Sequence, residues 1–256
     1  MSAIGYAVSD STTMIRRVLR HTRRNPSTLL MSITLPLVLL CLMNYAFGGA
    51  LDVGGGRYID YLIPGIVVMG AAYSCSATAV AVSTDMNEGV IDRFRTLAIS
   101  RGSVLVGHVV GNTIRTGFGV VVVVLAGLGM GFRPSGSPLR WLAAAGIVLL
   151  MLFAISWLAT GIGLAAANTS SAASMASLVS LLPFLSGAFA PLDGMPGWLL
   201  AFARNEPITH VIYALRGLVT DQPVGDHAWL SVVWCAGIAV VGYAWARSVF
   251  GKKTVR

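Results

Sequence analysis

Charged residues are scarce in this chain of 256 residues: they make up 11% of it, whereas hydrophobic residues make up 55%. Because soluble domains carry about 25% charged residues, the composition excludes an ordinary soluble domain and indicates a polytopic membrane protein. The three cysteines, Cys41, Cys75 and Cys235, lie far apart within apolar runs. Their spacing fits neither a metal site nor a disulfide framework, so no metal is expected.

Two further features are missing. Acidic residues are nearly absent from the long apolar runs, which argues against a carrier driven by protons or sodium ions. A Walker A motif is also absent, because Ala246 stands where the first glycine before Gly251-Lys252 is needed. A transporter with this sequence needs an energy source on another chain. An intramembrane enzyme with Ser186 as nucleophile and His210 as base is the minor alternative, since both signals are common by chance.

The apolar runs predict an all-α polytopic membrane protein with six transmembrane helices. The spans are predicted at about residues 29–47, 61–83, 104–132, 141–167, 172–190 and 230–246. Pro183 lies inside the fifth run and predicts a kink or break there. The segment 191–229 holds two apolar pieces too short to span, which predict short extracellular helices, re-entrant or interfacial, before the last span.

Residues 11–25 predict an N-terminal amphipathic helix with a strongly basic face. Its arginines are Arg16, Arg17, Arg20, Arg23 and Arg24. Such a helix is expected to lie in the cytoplasmic interface on anionic headgroups, although the segment could instead be a basic flank that orients the first span.

Lysine and arginine counts predict the orientation. The N-terminal arm holds five, segment 85–103 holds three and the tail holds four, against five in the longer opposite loops. The positive-inside rule therefore places both termini in the cytoplasm. Because the basic residues gather at the chain ends rather than on one face, the net charge of +8 indicates membrane topology and no nucleic-acid partner.

Segment 85–101 is a dense cluster of mixed charge between two apolar runs. Val90, Ile91, Phe94 and Leu97 form an apolar stripe at helical spacing, with charges on the other face. An ordered amphipathic helix here is suited to docking on a cytoplasmic partner. The alternative is an interfacial helix that rests on lipid headgroups.

The third predicted span carries one polar stripe, formed by His108, Asn112 and Arg115. A buried arginine costs about 2.5–3.5 kcal/mol on insertion scales. The stripe therefore predicts either a helix that extends beyond the membrane or the wall of a wet cavity.

Several motifs resemble those of ABC-2 type permeases, and most closely the daunorubicin/doxorubicin-resistance exporter permeases. The first match is Glu88-Gly89 with Ile91–Leu97 and Ser100-Arg101, and the second runs from Pro183 to Phe189. The second match continues through 191–218, and weaker ones occur at 23–26 and 61–65. Ala98 stands where the family usually has proline, and Glu206 where asparagine usually precedes Pro207.

The resemblance implies the membrane subunit of an exporter in the bacterial plasma membrane. Two permease copies would pair, and two copies of a cytoplasmic ATPase, which bind ATP and Mg²⁺, would dock beneath them. Residues 11–25 would be the elbow helix. The coupling residues would be Glu88, Gly89, Asp92, Arg93, Phe94 and Arg95. The extracellular cap would include Met195, Pro196, Trp198 and Pro207.

For the substrate path, the sequence offers Met69 and Tyr73, which are i, i+4 neighbours, and Phe184 and Phe189, which flank Pro183. Their polarizable and aromatic surfaces suit a flat amphipathic molecule. Ordinary helix packing in lipid explains the same residues, and a lipid or lipid-linked glycan is the alternative cargo.

Overall fold

The computed structural model of the chain describes residues 26–50, 56–88 and 101–253. Throughout these ranges the secondary structure is helical, with no strand. Eight α-helices occur in them: α1 Pro26–Leu42, α2 Tyr58–Asn87, α3 Arg101–Gly129, α4 Pro138–Ala165, α5 Thr169–Leu181, α6 Gly197–Asn205, α7 Pro207–Val219 and α8 His227–Lys253. A π-helical turn, Met43–Phe47, extends α1.

Four of these helices, α2, α3, α4 and α8, are long and apolar enough to cross a membrane. The apolar segments Ile33–Phe47 and Thr169–Leu185 are shorter. The prediction of an all-helical polytopic membrane protein is therefore confirmed. Each of the six predicted spans overlaps one helix. Four of these helices are long enough to cross, so a total of six spans requires the two shorter segments to cross the membrane as well.

The second helix, α2, lies at the centre of the bundle. It packs against α1, α3, α4, α5 and α7. Within its most apolar window 67% of the residues are buried, compared with 22% for both α3 and α8. Since a single chain leaves the outer faces of α3 and α8 uncovered, their apolar surfaces are available to lipid or to another subunit.

The fifth predicted span is shorter as an α-helix than the sequence suggested. Asn168 caps α5 by accepting a hydrogen bond from the Ser171 backbone N–H, and the α-helix ends at Leu181. A 3₁₀ turn, Leu182–Leu185, follows and contains Pro183. Proline cannot donate a helical hydrogen bond and clashes with the preceding turn, so the helix breaks where the sequence predicted a break.

The segment before the last span contains the two short helices α6 and α7, joined at Glu206. α6 is largely exposed, whereas all but two residues of α7 are buried. α7 packs on α2, α4 and α8, so it lies inside the bundle rather than on its surface. Of the two arrangements expected, the burial of α7 fits a re-entrant helix and that of α6 an interfacial one.

Close packing at glycines holds α4 against its neighbours. A Cβ on Gly163 would lie 2.5 Å from the Ala79 carbonyl oxygen of α2, and one on Gly242 of α8 would lie 2.9 Å from the Leu158 backbone nitrogen of α4. Helices in lipid approach closely through small residues, because dispersion contacts then replace the missing hydrophobic drive.

Gly163→Ala is expected to destabilise the purified protein, because the added methyl group overpacks the α2–α4 contact. The free energy of unfolding should fall by about 1–3 kcal/mol, and the melting temperature should fall with it. Gly146→Ala on the same helix is the matched control, since its Cβ would meet nothing within 4 Å. Thermal unfolding in detergent measures both variants. Equal stability of the two variants would contradict the packing assignment.

Candidate transport site

A cluster of polar side chains joins α2, α3 and α4 in the interior. Asn112 Nδ2 donates to Ser156 Oγ at 2.8 Å, and Ser156 Oγ donates to the Leu152 carbonyl oxygen at 2.7 Å. Arg115 donates from a terminal guanidinium nitrogen to Asn112 Oδ1, also at 2.8 Å. The polar stripe of α3 thus faces protein, as buried polar groups in lipid must.

A cavity of about 310 Å³ lies beside this cluster, between α1, α2 and α3. Arg115, Thr116, Tyr73, Ser74 and Ser76 supply its polar wall. Its apolar lining is Leu35, Pro36, Ile66, Val67, Gly70, Ala77, Gly119, Val120 and Val123. We call it the arginine cavity.

A second cavity, of about 330 Å³, lies between α2, α3, α4 and α7. Its lining is apolar and includes Phe132, Trp141, Leu152 and Leu215. We call it the apolar cavity. Val67 and Val120 line both cavities and therefore lie between them. The arginine cavity has a guanidinium group in its lining, whereas the apolar cavity has no polar side chain in its lining.

The four predicted path residues do not meet in one place. Tyr73 lines the arginine cavity, whereas Met69, one turn earlier on α2, is fully buried. The rings of Phe184 and Phe189 lie 5.3 Å apart beside the Pro183 turn, and neither lines the two cavities. Met69 and Tyr73 therefore have different environments although they are spaced i, i+4. The role of all four residues in the substrate path stays a prediction.

Comparisons with known proteins agree with this architecture. Residues 10–219 match the family model described as ABC-2 type transporter. The chain belongs to this family. The resemblance predicted from the motifs is thereby confirmed, and the protein is an integral membrane permease.

Two relatives cover nearly the whole permease. The "Daunorubicin resistance ABC transporter permease protein DrrB1" of Streptomyces coeruleorubidus is 30% identical over 98% of this chain and 86% of its own length. The "Probable doxorubicin resistance ABC transporter permease protein DrrC" of Mycobacterium tuberculosis is 26% identical over 91% of this chain and 85% of its own length. The "ABC transporter G family member 20" of Dictyostelium discoideum is 28% identical over 73% of this chain but only 25% of its own length.

Arg216 anchors the buried helix α7 of the permease. Its guanidinium donates to the carbonyl oxygens of Tyr61, at 3.1 Å, and Gly187, at 2.9 Å, and its Cζ lies 3.4 Å from the centroid of the Tyr61 ring. The Tyr61 hydroxyl donates to the same Gly187 carbonyl at 3.0 Å. Positive-inside counting treated Arg216 as an ordinary loop charge. The available signal was a single arginine within an otherwise apolar helix.

The predicted elbow and coupling residues are only partly within the described ranges. Arg16, Arg17, Arg20, Arg23 and Arg24 lie outside them, as do Gly89, Asp92, Arg93, Phe94 and Arg95. Glu88, at the end of α2, is exposed. His108 Nε2 lies 3.1 Å from Asp85 Oδ2, so this contact joins the ends of α2 and α3 that flank the predicted coupling segment.

The predicted cap residues lie around α6. Trp198 is 77% exposed, and Pro207 occupies the first turn of α7, where its missing N–H costs least. Met195 and Pro196 precede α6. An exposed tryptophan on a short amphipathic helix is typical of the membrane interface.

Ser186 and His210, the candidates for catalysis, have other partners. Ser186 Oγ donates to the Pro183 carbonyl oxygen at 2.7 Å, and His210 Nδ1 lies 3.0 Å from His227 Nδ1. Among the described residues no hydrogen bond joins Ser186 to His210, so the arrangement that a serine nucleophile requires is missing there.

Glu206, which lies outside the predicted spans, is a buried carboxyl. Thr209 Oγ1 donates to its Oε1 at 3.3 Å, and Oε2 has no partner among the described residues. Burial raises the pKa of Glu206 to about 7, although the Thr209 hydrogen bond opposes the shift. The folded state thus binds a proton more tightly than the unfolded chain.

The permease is therefore expected to lose stability as the pH rises from about 4.5 to 7, because in this range the carboxyl is ionised in the unfolded chain but still protonated in the folded state, and its ionisation favours the unfolded chain. Glu206→Gln should remove this part of the pH dependence and be the more stable protein at pH 8. Thermal unfolding of both proteins across this pH range measures the difference. Parallel curves for the two proteins would show that Glu206 is not responsible.

Proposed function

We propose that this chain is the membrane permease subunit of an ATP-driven ABC exporter. It moves a hydrophobic or amphipathic small molecule, of the drug or antibiotic kind, out of the cytoplasm by alternating access. Hydrolysis of ATP takes place on a separate ATPase subunit, which holds ATP and Mg²⁺.

The observation that carries the proposal is the family match over residues 10–219, which includes the coupling segment and the Pro183 region. The relatives that cover nearly the whole chain are named as permeases for daunorubicin or doxorubicin resistance. The two cavities support a small cargo, because volumes of about 310 and 330 Å³ lie at the lower end of the range for drug-sized ligand sites.

The proposed assembly is a homodimer of six-span permeases with two ATPase subunits beneath it. The chain lies in the bacterial plasma membrane with both termini in the cytoplasm. Residues 88–95 seat in a groove on the ATPase, and closure of the ATPase dimer tilts the spans as rigid bodies. α6 and α7 close the outer end of the path.

Export of a lipid or a lipid-linked glycan is the competing function within the same family. A long chain or a glycan needs a wide, continuous channel. The arginine cavity and the apolar cavity, of about 310 and 330 Å³, are of a size that suits a small molecule, which favours that cargo.

Replacing Asp92 and Arg93 together by alanine is expected to leave the permease folded but to abolish substrate-stimulated ATPase activity in the assembled complex. The reason is that both charges belong to the proposed coupling helix. The matched control is Arg140→Gln with Asp221→Asn, which removes the exposed ion pair of 2.9 Å elsewhere on the chain and one charge of each sign. Undiminished stimulation in the 92/93 variant would remove the coupling assignment.

Alanine substitutions at Met69, Tyr73, Phe184 and Phe189 are expected to change transport selectivity between flat aromatic cargoes, with Tyr73→Ala the strongest because Tyr73 lines the arginine cavity. Initial transport rates for two competing cargoes in proteoliposomes containing the ATPase measure the ratio. Val240→Ala, at a position 67% exposed on α8, is the control. A ratio unaffected by all four substitutions would exclude these residues from the path.

A further inference from the structure

We propose that the arginine cavity binds the anionic group of an amphipathic molecule, with Arg115 as the charge partner. The inference rests on the proposed function in one respect, since it names the chemical class of cargo that the permease accepts. The class is a flat apolar body that ends in a carboxylate, sulfonate or phosphate.

The position of the cavity is the first argument. Pro36, Tyr73 and Arg115 each lie within one residue of the middle of their helix, if α1 is taken together with its π-helical turn. All three line the cavity. The guanidinium therefore lies at the mid-length of three apolar helices, and an arginine within an apolar helix is rare and generally belongs to a substrate or ion pathway.

The second argument is charge. No aspartate or glutamate lines the arginine cavity. The one hydrogen bond that the Arg115 side chain makes among the described residues goes to Asn112 Oδ1, a neutral acceptor. Asn112 is in turn fixed by its hydrogen bond to Ser156. The network positions the guanidinium without neutralising it, so an anion in the cavity would complete the site.

The third argument is the rest of the lining. Besides its polar side chains, the cavity is lined by the apolar surfaces of Pro36, Ile66, Val67 and Val123, and Val67 is shared with the apolar cavity. An apolar body fits along these side chains while its anionic end meets Arg115. A cationic amphiphile is disfavoured, because its charge would lie beside an arginine with no compensating carboxylate in the lining.

The test uses the purified full-length permease in nanodiscs of zwitterionic phosphatidylcholine and three probes with one apolar body: 1-pyrenebutyrate, 1-pyrenebutanol and a pyrenebutyl-trimethylammonium salt. Energy transfer from tryptophan to pyrene reports binding, and empty nanodiscs correct for partitioning into lipid. We expect the permease to bind the acid at least tenfold more tightly than the alcohol, and the cation more weakly still.

Arg115→Gln is expected to abolish the preference for the acid, whereas Arg204→Gln, which removes an exposed arginine on α6, should retain it. Equal affinity for acid and alcohol in the unaltered permease would overturn the proposal. An acid preference that survives in a folded Arg115→Gln variant would overturn it too.

Gly119→Leu provides a second route if Arg115→Gln does not fold. A Cβ on Gly119 meets only Ile33 Cγ1, at 3.6 Å, which is an ordinary contact, so the larger side chain is expected to enter the cavity. It leaves Arg115 in place and should weaken the binding of acid and alcohol alike. Unchanged binding of the acid in this variant would place the probe elsewhere and overturn the proposal.

An anionic phospholipid carries the same chemistry as an anionic cargo, and a titration distinguishes the two sources. Displacement of pyrenebutyrate by a few per cent phosphatidylglycerol in the nanodisc assigns the site to lipid, and its retention assigns the site to cargo. Because binding is measured without the ATPase, failure here leaves ATP-driven export intact, whereas loss of export with binding preserved would refute the proposed function alone.

Discussion

Every polar group in the hydrocarbon layer needs a partner within the protein, and this constraint explains how the bundle is arranged. The polar groups of α2 face protein because α2 lies at the centre, where α1, α3, α4, α5 and α7 all contact it. The polar stripe of α3 finds a partner in α4 through the hydrogen bond from Asn112 to Ser156. The helices with lipid-compatible outer faces, α3 and α8, remain peripheral.

The same constraint explains how irregular backbone is tolerated beside the break at Pro183. Once α5 ends at Leu181, the carbonyl groups that follow lack helical partners. Arg216 and Tyr61 both donate to the Gly187 carbonyl, and Tyr58 Oη donates to the Phe189 carbonyl at 2.9 Å. Donors from α2 and α7 thus supply partners for two carbonyl groups of the loop. The short helix α7 is accordingly a structural part of the bundle.

Hydropathy, proline and charge patterns predicted the class of fold, the interruption at Pro183 and the family, because each is a local property of the chain. They did not predict the burial of α7, since a short apolar piece looks the same on a membrane surface as inside a bundle. The role of Arg216 was also missed, because its acceptor at Tyr61 lies 155 residues away. Met69 and Tyr73 have different surroundings although they share a helix face, and only the packing of the neighbouring helices separates them.

The distribution of close contacts bears on which helices would move in the proposed alternating-access cycle. Glycines bring backbone against backbone where α4 meets α2 and α8, so these contacts leave no room for sliding without loss of packing. The contacts of α1 are looser: Cβ atoms on Gly70 and Gly119 would meet α1 at 3.5 and 3.6 Å, through side chains alone. A rigid-body change in this bundle costs least where side chains rather than backbones meet. One such boundary is that between α1 and the pair α2 and α3, where the arginine cavity also lies; at Gly117, α3 meets Leu152 of α4 through a side chain too.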